Sequence, residues 1–216
     1  MRWIGMVAMA VAGLVFWLGQ GAQERSEDGG YLVLALSWSP SWCAAEGDAR
    51  GDARCAPGAG TGWLVHGLWP QHEAGGWPEF CDTAHPPPDR RMTGAMEDIM
   101  GSAGLARHQW TKHGSCSGLS PAAYFDRTRA AFAALTFPET IRARDASLRL
   151  APDAVLAAFR AANPAVAPDM VVLTCRQGNA QEIRLCLSRD LRPRPCDPDL
   201  LSRGCRAGQV TLPAKP

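Results

Sequence analysis

The sequence predicts an α+β fold in a single domain, with an antiparallel sheet packed against several helices and stapled by disulfides. Three observations carry this. Strand-like segments lie near both ends of the chain and helical segments cluster in its middle, unlike the regular alternation of a parallel α/β protein. A chain of 216 residues suffices for one sizeable core, and neither a repeat nor a linker divides it after residue 30. The cysteines number eight, an even count without any CxxC pair, so disulfides account for them better than a zinc site does.

The first segment precedes the fold. Met1-Arg2 is a short basic start, residues 3–18 carry no charge, and Gly19, Gly21 and Ala22 are small. That order predicts a secretory signal over residues 1–22, a polar N-terminal segment over 23–30, and the folded domain over 31–216. The apolar run is shorter than the roughly 20 residues that span a bilayer, so an uncleaved anchor is the weaker alternative. Export to the periplasm or the extracellular space agrees with the cysteine count, because disulfides persist in oxidising compartments.

Within the domain, Tyr31–Trp38 is a β-rich apolar run that reads as a buried strand. Residues 39–62, rich in Gly, Ala, Asp and Cys, form a loop. A second short strand covers 63–69 and should end at Pro70. A long loop follows, through Gly75-Gly76 and the three prolines at 86–88. Residues 92–103 have helical composition, as do 105–113 until Gly114. Ser120 and Pro121 are an N-cap and a first helical residue, and open the clearest helix. Pro152 opens another that should stop by Pro164. Strands over 170–175 and 182–188 flank Gly178-Asn179, a hairpin signal.

Composition narrows function by exclusion. Hydrophobic residues at 46% and charged residues at 20% are ordinary for a soluble globular protein and exclude a disordered or multi-span membrane chain. A non-specific nucleic-acid binder usually carries a large positive excess, so a net charge of +1 gives no support to one, and any such contact depends on local placement of Lys and Arg.

Five histidines remain to be weighed. His85, in a His-Pro-Pro-Pro loop, and His72, beyond Pro70, are surface residues. His66 is different: in Trp63-Leu64-Val65-His66-Gly67-Leu68-Trp69-Pro70 a titratable group sits inside an apolar strand. A buried structural histidine would not need Gly67, which clears space for something to approach. In Arg107-His108-Gln109-Trp110-Thr111-Lys112-His113-Gly114, helical spacing brings Gln109, Lys112 and His113 to one side and His108 to the adjoining row. His108 and His113 are five apart, not at the facing spacing of HExxH, so no metal and no cofactor is expected.

These two segments resemble the active-site segments of the ribonuclease T2 family, secreted endoribonucleases that need no metal. HGLWP (66–70) matches the first and HQWTKHGSC (108–116) resembles the second, usually HEWxKHGxC. LALSWSPSWC (34–43) resembles the N-terminal signature of bacterial members. The resemblance implies an α+β fold and cleavage of single-stranded RNA by transphosphorylation through a 2′,3′-cyclic phosphate. It implies His113 as base and His66 as acid, although the sequence itself does not distinguish the two. Lys112 would stabilise the phosphorane and His108 would hold the phosphate. Gln109 departs from the family's glutamate, and an active enzyme with altered pH dependence is expected.

Trp69 is the first candidate to stack on a base and Trp77 the second. Gln71 stands where some members carry an acidic base reader. Trp38, Trp42, Trp63 and Trp110 are expected in the core. The family pattern implies the disulfides Cys43–Cys55, Cys81–Cys116, Cys175–Cys205 and Cys186–Cys196. RNA is the expected partner, and a monomer with no obligatory protein partner is the expected state. Two competing readings are an RNA-binding protein without catalysis and a disulfide-stapled exported protein whose histidines are structural.

Overall fold

The computed structural model describes residues 30–59, 62–142 and 145–215. The expected signal and residues 23–29 lie outside the described residues. Six strands, β1 (Tyr31–Trp38), β2 (Trp63–Gln71), β3 (Leu148–Leu150), β4 (Val171–Arg176), β5 (Asn179–Leu187) and β6 (Val210–Leu212), form one sheet. Its order is β2-β1-β5-β6-β3, and β4 also pairs with β5. The pairs are antiparallel except for a short parallel register at Asn179 and Thr211, so the sheet is mixed. Helices α1 (Ser39–Trp42), α2 (Arg90–Gly94), α3 (Glu97–Met100), α4 (Ala103–Lys112), α5 (Pro121–Ala133), α6 (Pro152–Ala162) and α7 (Pro198–Ser202) complete the α+β fold.

Strand β1 is buried on both faces, which is why it reads as a continuous apolar run. Leu32, Leu34, Leu36 and Trp38 enter the main core with Trp110, Phe125 and Phe159. Tyr31 and Val33 point the other way, into a smaller cluster with Cys186, Cys196 and Leu200.

Strand β2 runs through Pro70 to Gln71, past the expected stop. It is an edge strand, where a residue without an N–H costs no ladder bond on the open side. Its middle is irregular in a useful way. Ala35 pairs with Gly67 but Leu36 with Val65, so His66 is the extra residue of a β-bulge, a device that re-aims side chains. Val65 and Leu68 therefore both enter the main core although three residues apart. His66 and Trp69 emerge together on the opposite face, their rings 5.2 Å apart.

The helical stretch expected over 92–103 is two short helices, α2 and α3, and Gly101 ends the second at φ 74°. Helix α4 starts behind Ser102, whose hydroxyl accepts from Leu105 N–H. Its last turn hands over to a 3-10 turn at Gly114. Helix α5 has the expected Ser120 cap, and its Tyr124 hydroxyl donates to the Leu68 carbonyl of β2 at 3.0 Å. The β4–β5 hairpin turns on Gln177 and Gly178, both at positive φ, one residue earlier than the expected Gly178-Asn179, so Asn179 already belongs to β5. All four disulfides pair as the family pattern implies.

Candidate active site

The face of the sheet opposite the main core carries a cleft of about 330 Å³. His66, Trp69 and Gln71 reach it from β2, and His108, Gln109, Lys112 and His113 from α4 and its C-cap. Trp77 of the long loop lines it, as do Asp199 and Leu200 of α7 with the following Arg203. Thus all the side chains singled out from the two histidine segments, with Gln71 and Trp77, meet in one place. His72 and His85 are exposed elsewhere.

Trp69 is the hub. Its ring lies 5.2 Å from that of His66 and 5.3 Å from that of His113, so one indole spaces the two imidazoles. Its Nε1–H donates to Gln109 Oε1 at 2.7 Å, and the Arg184 guanidinium stands 5.3 Å from its centroid. Gly67, read from sequence as room for an incoming group, serves this hydrogen bond instead. A Cβ there would lie under 3.0 Å from both Gln109 Oε1 and Trp69 Nε1.

The two imidazoles differ in environment. His113 is 5% exposed, and its buried Nδ1 has no hydrogen-bond partner. Burial disfavours its charged form, and the neighbouring Lys112 and His66 add positive repulsion, which pushes its pKa down to about 4. His66 is more open, and its Nδ1 lies 2.6 Å from Glu182 Oε1. Glu182 is 4% exposed. Burial pushes its carboxyl up, but the hydrogen bond and charge of His66, together with Arg184, outweigh that and hold it at about 2. An ionised carboxylate only accepts, so His66 Nδ1 carries the proton and Nε2 is the free nitrogen.

Lys112 Nζ is 3.3 Å from Glu79 Oε2, and Trp77 Nε1 donates to the same oxygen at 3.3 Å. The Trp77 indole and the Lys112 ammonium hold Glu79 below the usual carboxylate range. The loop that carries Glu79 is tied to α4 by Phe80 N–H donating to Lys112 O at 2.8 Å and by Cys81–Cys116. Trp77 is 40% exposed, with Arg203 over one side of its ring. Trp69, by contrast, is packed among His66, His113 and Arg184.

A second cleft of about 490 Å³ opens on the other side of His66 and His108 and is also lined by Ser37, Trp42, Arg50, Arg54 and Glu182. Trp42, expected in the core, is only partly buried and lies under the Arg54 guanidinium at 4.1 Å. Trp38, Trp63 and Trp110 are core residues. Chemically, the site pairs a neutral imidazole with a carboxylate-bound one, beside an ammonium group and a buried amide. That set can accept one proton and donate another across a phosphodiester.

The sequence profile described as the Ribonuclease T2 family matches residues 29–196. The chain belongs to the ribonuclease T2 family. A probable ribonuclease of Haemophilus influenzae is 32% identical over 139 residues, covering 59% of this chain and 50% of its own length. A ribonuclease of Aeromonas hydrophila is 38% identical over 110 residues, covering 48% and 46%. The chain thus spans about half the length of these curated relatives. In fold it is similar to an RNase-related protein from Calystegia sepium, with a TM-score of 0.69 at 19% identity over 88% of this chain and all of that one.

As a ribonuclease T2 family member, the chain carries two polar residues that the histidine segments did not disclose. Glu182 and Arg184 alternate along β5, on the face of Ser37 and Ala35 of β1, their register partners. The signal was present: two charges at alternate positions in a strand whose other residues carry none. What was missing was the register that carries them to His66 across β1. Among the described residues, the one three-ligand cluster that could hold a metal ion uses Cys43 and Cys55, which are joined to each other.

Proposed function

We propose that this chain is an exported endoribonuclease that cleaves single-stranded RNA by transphosphorylation, with His113 as general base and His66 as general acid. The observation that carries the reading is the unequal pair of imidazoles on one indole. His113, neutral above about pH 4, takes the proton of the ribose 2′-hydroxyl. The 2′-oxygen attacks phosphorus, and the bond to the 5′-oxygen breaks as that oxygen receives a proton from His66 Nε2. The products are a 2′,3′-cyclic phosphate and a free 5′-hydroxyl. His66 then holds its remaining proton on Nδ1 against Glu182.

Charge builds on the phosphorane oxygens in this step. Lys112 is the cation nearest to His113 in sequence and lines the same cleft, and it stabilises that charge; His108 holds the phosphate where the two clefts meet. Gln109 is spent on Trp69, so it acts as a fixed amide rather than a proton carrier. For the base on the 2′ side, Trp77 offers the more open ring, and Trp69 contributes an edge as it spaces the histidines. Gln71, buried with its Nε2 donating to the Pro70 carbonyl at 2.9 Å, also lines the cleft. Export fits four disulfides, and no helix among the described residues is long and apolar enough to cross a membrane.

Purified protein incubated with RNA in EDTA between pH 4 and 8 tests this. Cleavage abolished by His66→Ala and by His113→Ala, with a cyclic phosphate terminus, is the expected result. Absence of cleavage at every pH defeats the proposal.

A further inference from the structure

We infer that Glu182 is a positioning residue for this reaction: from the neighbouring side of β1 it fixes the orientation and tautomer of His66 and supplies the site with the negative charge that position 109 lacks. The inference rests on the ribonuclease reading above.

The geometry is specific. His66 Nδ1 lies 2.6 Å from Glu182 Oε1, and Ser37 Oγ donates to that same oxygen at 3.2 Å. The other oxygen accepts from Arg184 Nε at 2.9 Å and Nη2 at 2.7 Å. Three donors on two oxygens fix the carboxylate, and two of them, Ser37 and Arg184, are independent of the histidine. The carboxylate is therefore held before it holds His66. β5 and β2 are separated by β1, and the intervening row on this face is small: Ala35, paired with both Gly67 and Arg184, and Ser37, paired with Glu182. Bulky residues there would part the two side chains; the bulge at His66 brings the imidazole over the gap.

Burying a carboxylate is costly, and an apolar residue would stabilise this face as well or better. Its cost is repaid where the ion has work to do. With Nδ1 committed, the only nitrogen of His66 left to face a leaving oxygen is Nε2. Through Arg184, the same carboxylate also fixes the cation that stands over Trp69, the ring spacing the two imidazoles. Gln109, the neutral amide on the other side of Trp69, contributes no charge to either histidine.

A residue that serves the general acid matters only when the leaving group needs a proton. Glu182→Gln should lower kcat on a dinucleoside phosphate by about 10–100-fold with KM little changed. On a nucleoside 3′-(4-nitrophenyl phosphate), whose leaving group departs unprotonated, the loss should be under about threefold, because protonation by the acid no longer limits the rate. Nitrogen-15 NMR of labelled histidine should show the His66 proton on Nδ1 in the parent and redistributed in the variant. Should Glu182→Gln fail to fold, Glu182→Asp, which keeps the charge but shortens its reach, replaces it with the same substrate split expected. Equal losses on both substrates, or unchanged kcat on both, overturn the inference. A parent protein that cleaves neither substrate instead sinks the ribonuclease reading itself.

Discussion

Replacing Gly67 with alanine adds one methyl group at the most crowded point of the site. The new Cβ would lie under 3.0 Å from Gln109 Oε1 and from Trp69 Nε1, and 3.0 Å from Gln109 Cδ, where ordinary contact is 3.4–4 Å. Both groups must retreat by about 1 Å, a shift on the scale at which misplaced catalytic groups lose about 100-fold in rate. Gln109 can change rotamer, which breaks its bond to Trp69 and costs about 1 kcal/mol. Trp69 has less freedom, because His66, His113 and Arg184 pack around its ring. Overpacking of this kind adds about 1–3 kcal/mol. We therefore expect Gly67→Ala to lose about 2–4 kcal/mol by urea denaturation and about 100-fold in kcat/KM. Gly94→Ala, at a helical position with nothing within 4 Å, is the control and should gain stability by about 0.5–1 kcal/mol. A Gly67→Ala enzyme within threefold of the parent in kcat/KM, with an unchanged urea midpoint, would refute the view that this glycine serves the Trp69–Gln109 bond.

Other outcomes follow from the same geometry. His113 has a folded-state pKa of about 4 against 6.5 unfolded, so its contribution to stability is fully present above about pH 6.5 and is lost as pH falls towards 4. That loss is on the order of 3 kcal/mol, and Glu182, at about 2, adds a further loss as pH falls from about 4.5; a urea midpoint flat between pH 3 and 7 would contradict both. The acid limb of kcat/KM should fall near pH 4, where His113, the proposed base, becomes protonated. Gln109→Glu places a carboxylate one indole away from His113 and should move that limb upward by about 1–2 pH units; an unmoved limb would show that the titration of His113 does not set it. Replacing Cys81 and Cys116 with serine should cost up to about 4 kcal/mol on the chain-entropy model, with activity falling more than for removal of Cys43–Cys55, which pH-matched assays and melting curves would compare.

Much of this architecture was legible because it is local. The β1 run, the Ser120-Pro121 helix start, the stop at Gly114 and the clustering of His108, Gln109, Lys112 and His113 each depend on residues within a turn or two of one another. What failed also has local causes. Pro70 reads as a strand end only if the strand has neighbours on both sides, and β2 has one. Residues 92–103 read as one helix because composition does not show where Gly101 turns left-handed. Trp42 reads as core because an arginine lid, Arg54, is invisible in its own segment.

The sequence by itself determined the chemistry of the candidate site, since the imidazoles, the ammonium and Trp69 stand in two short segments whose residue order is informative without a fold. Only the tertiary structure decided how those groups differ. The bulge at His66, the register that sets Glu182 beside it across β1, and the burial of His113 all arise between segments far apart in the chain. Protonation depends on what surrounds a group in space, and a carboxylate 116 residues away in sequence enters that environment only when the sheet has formed.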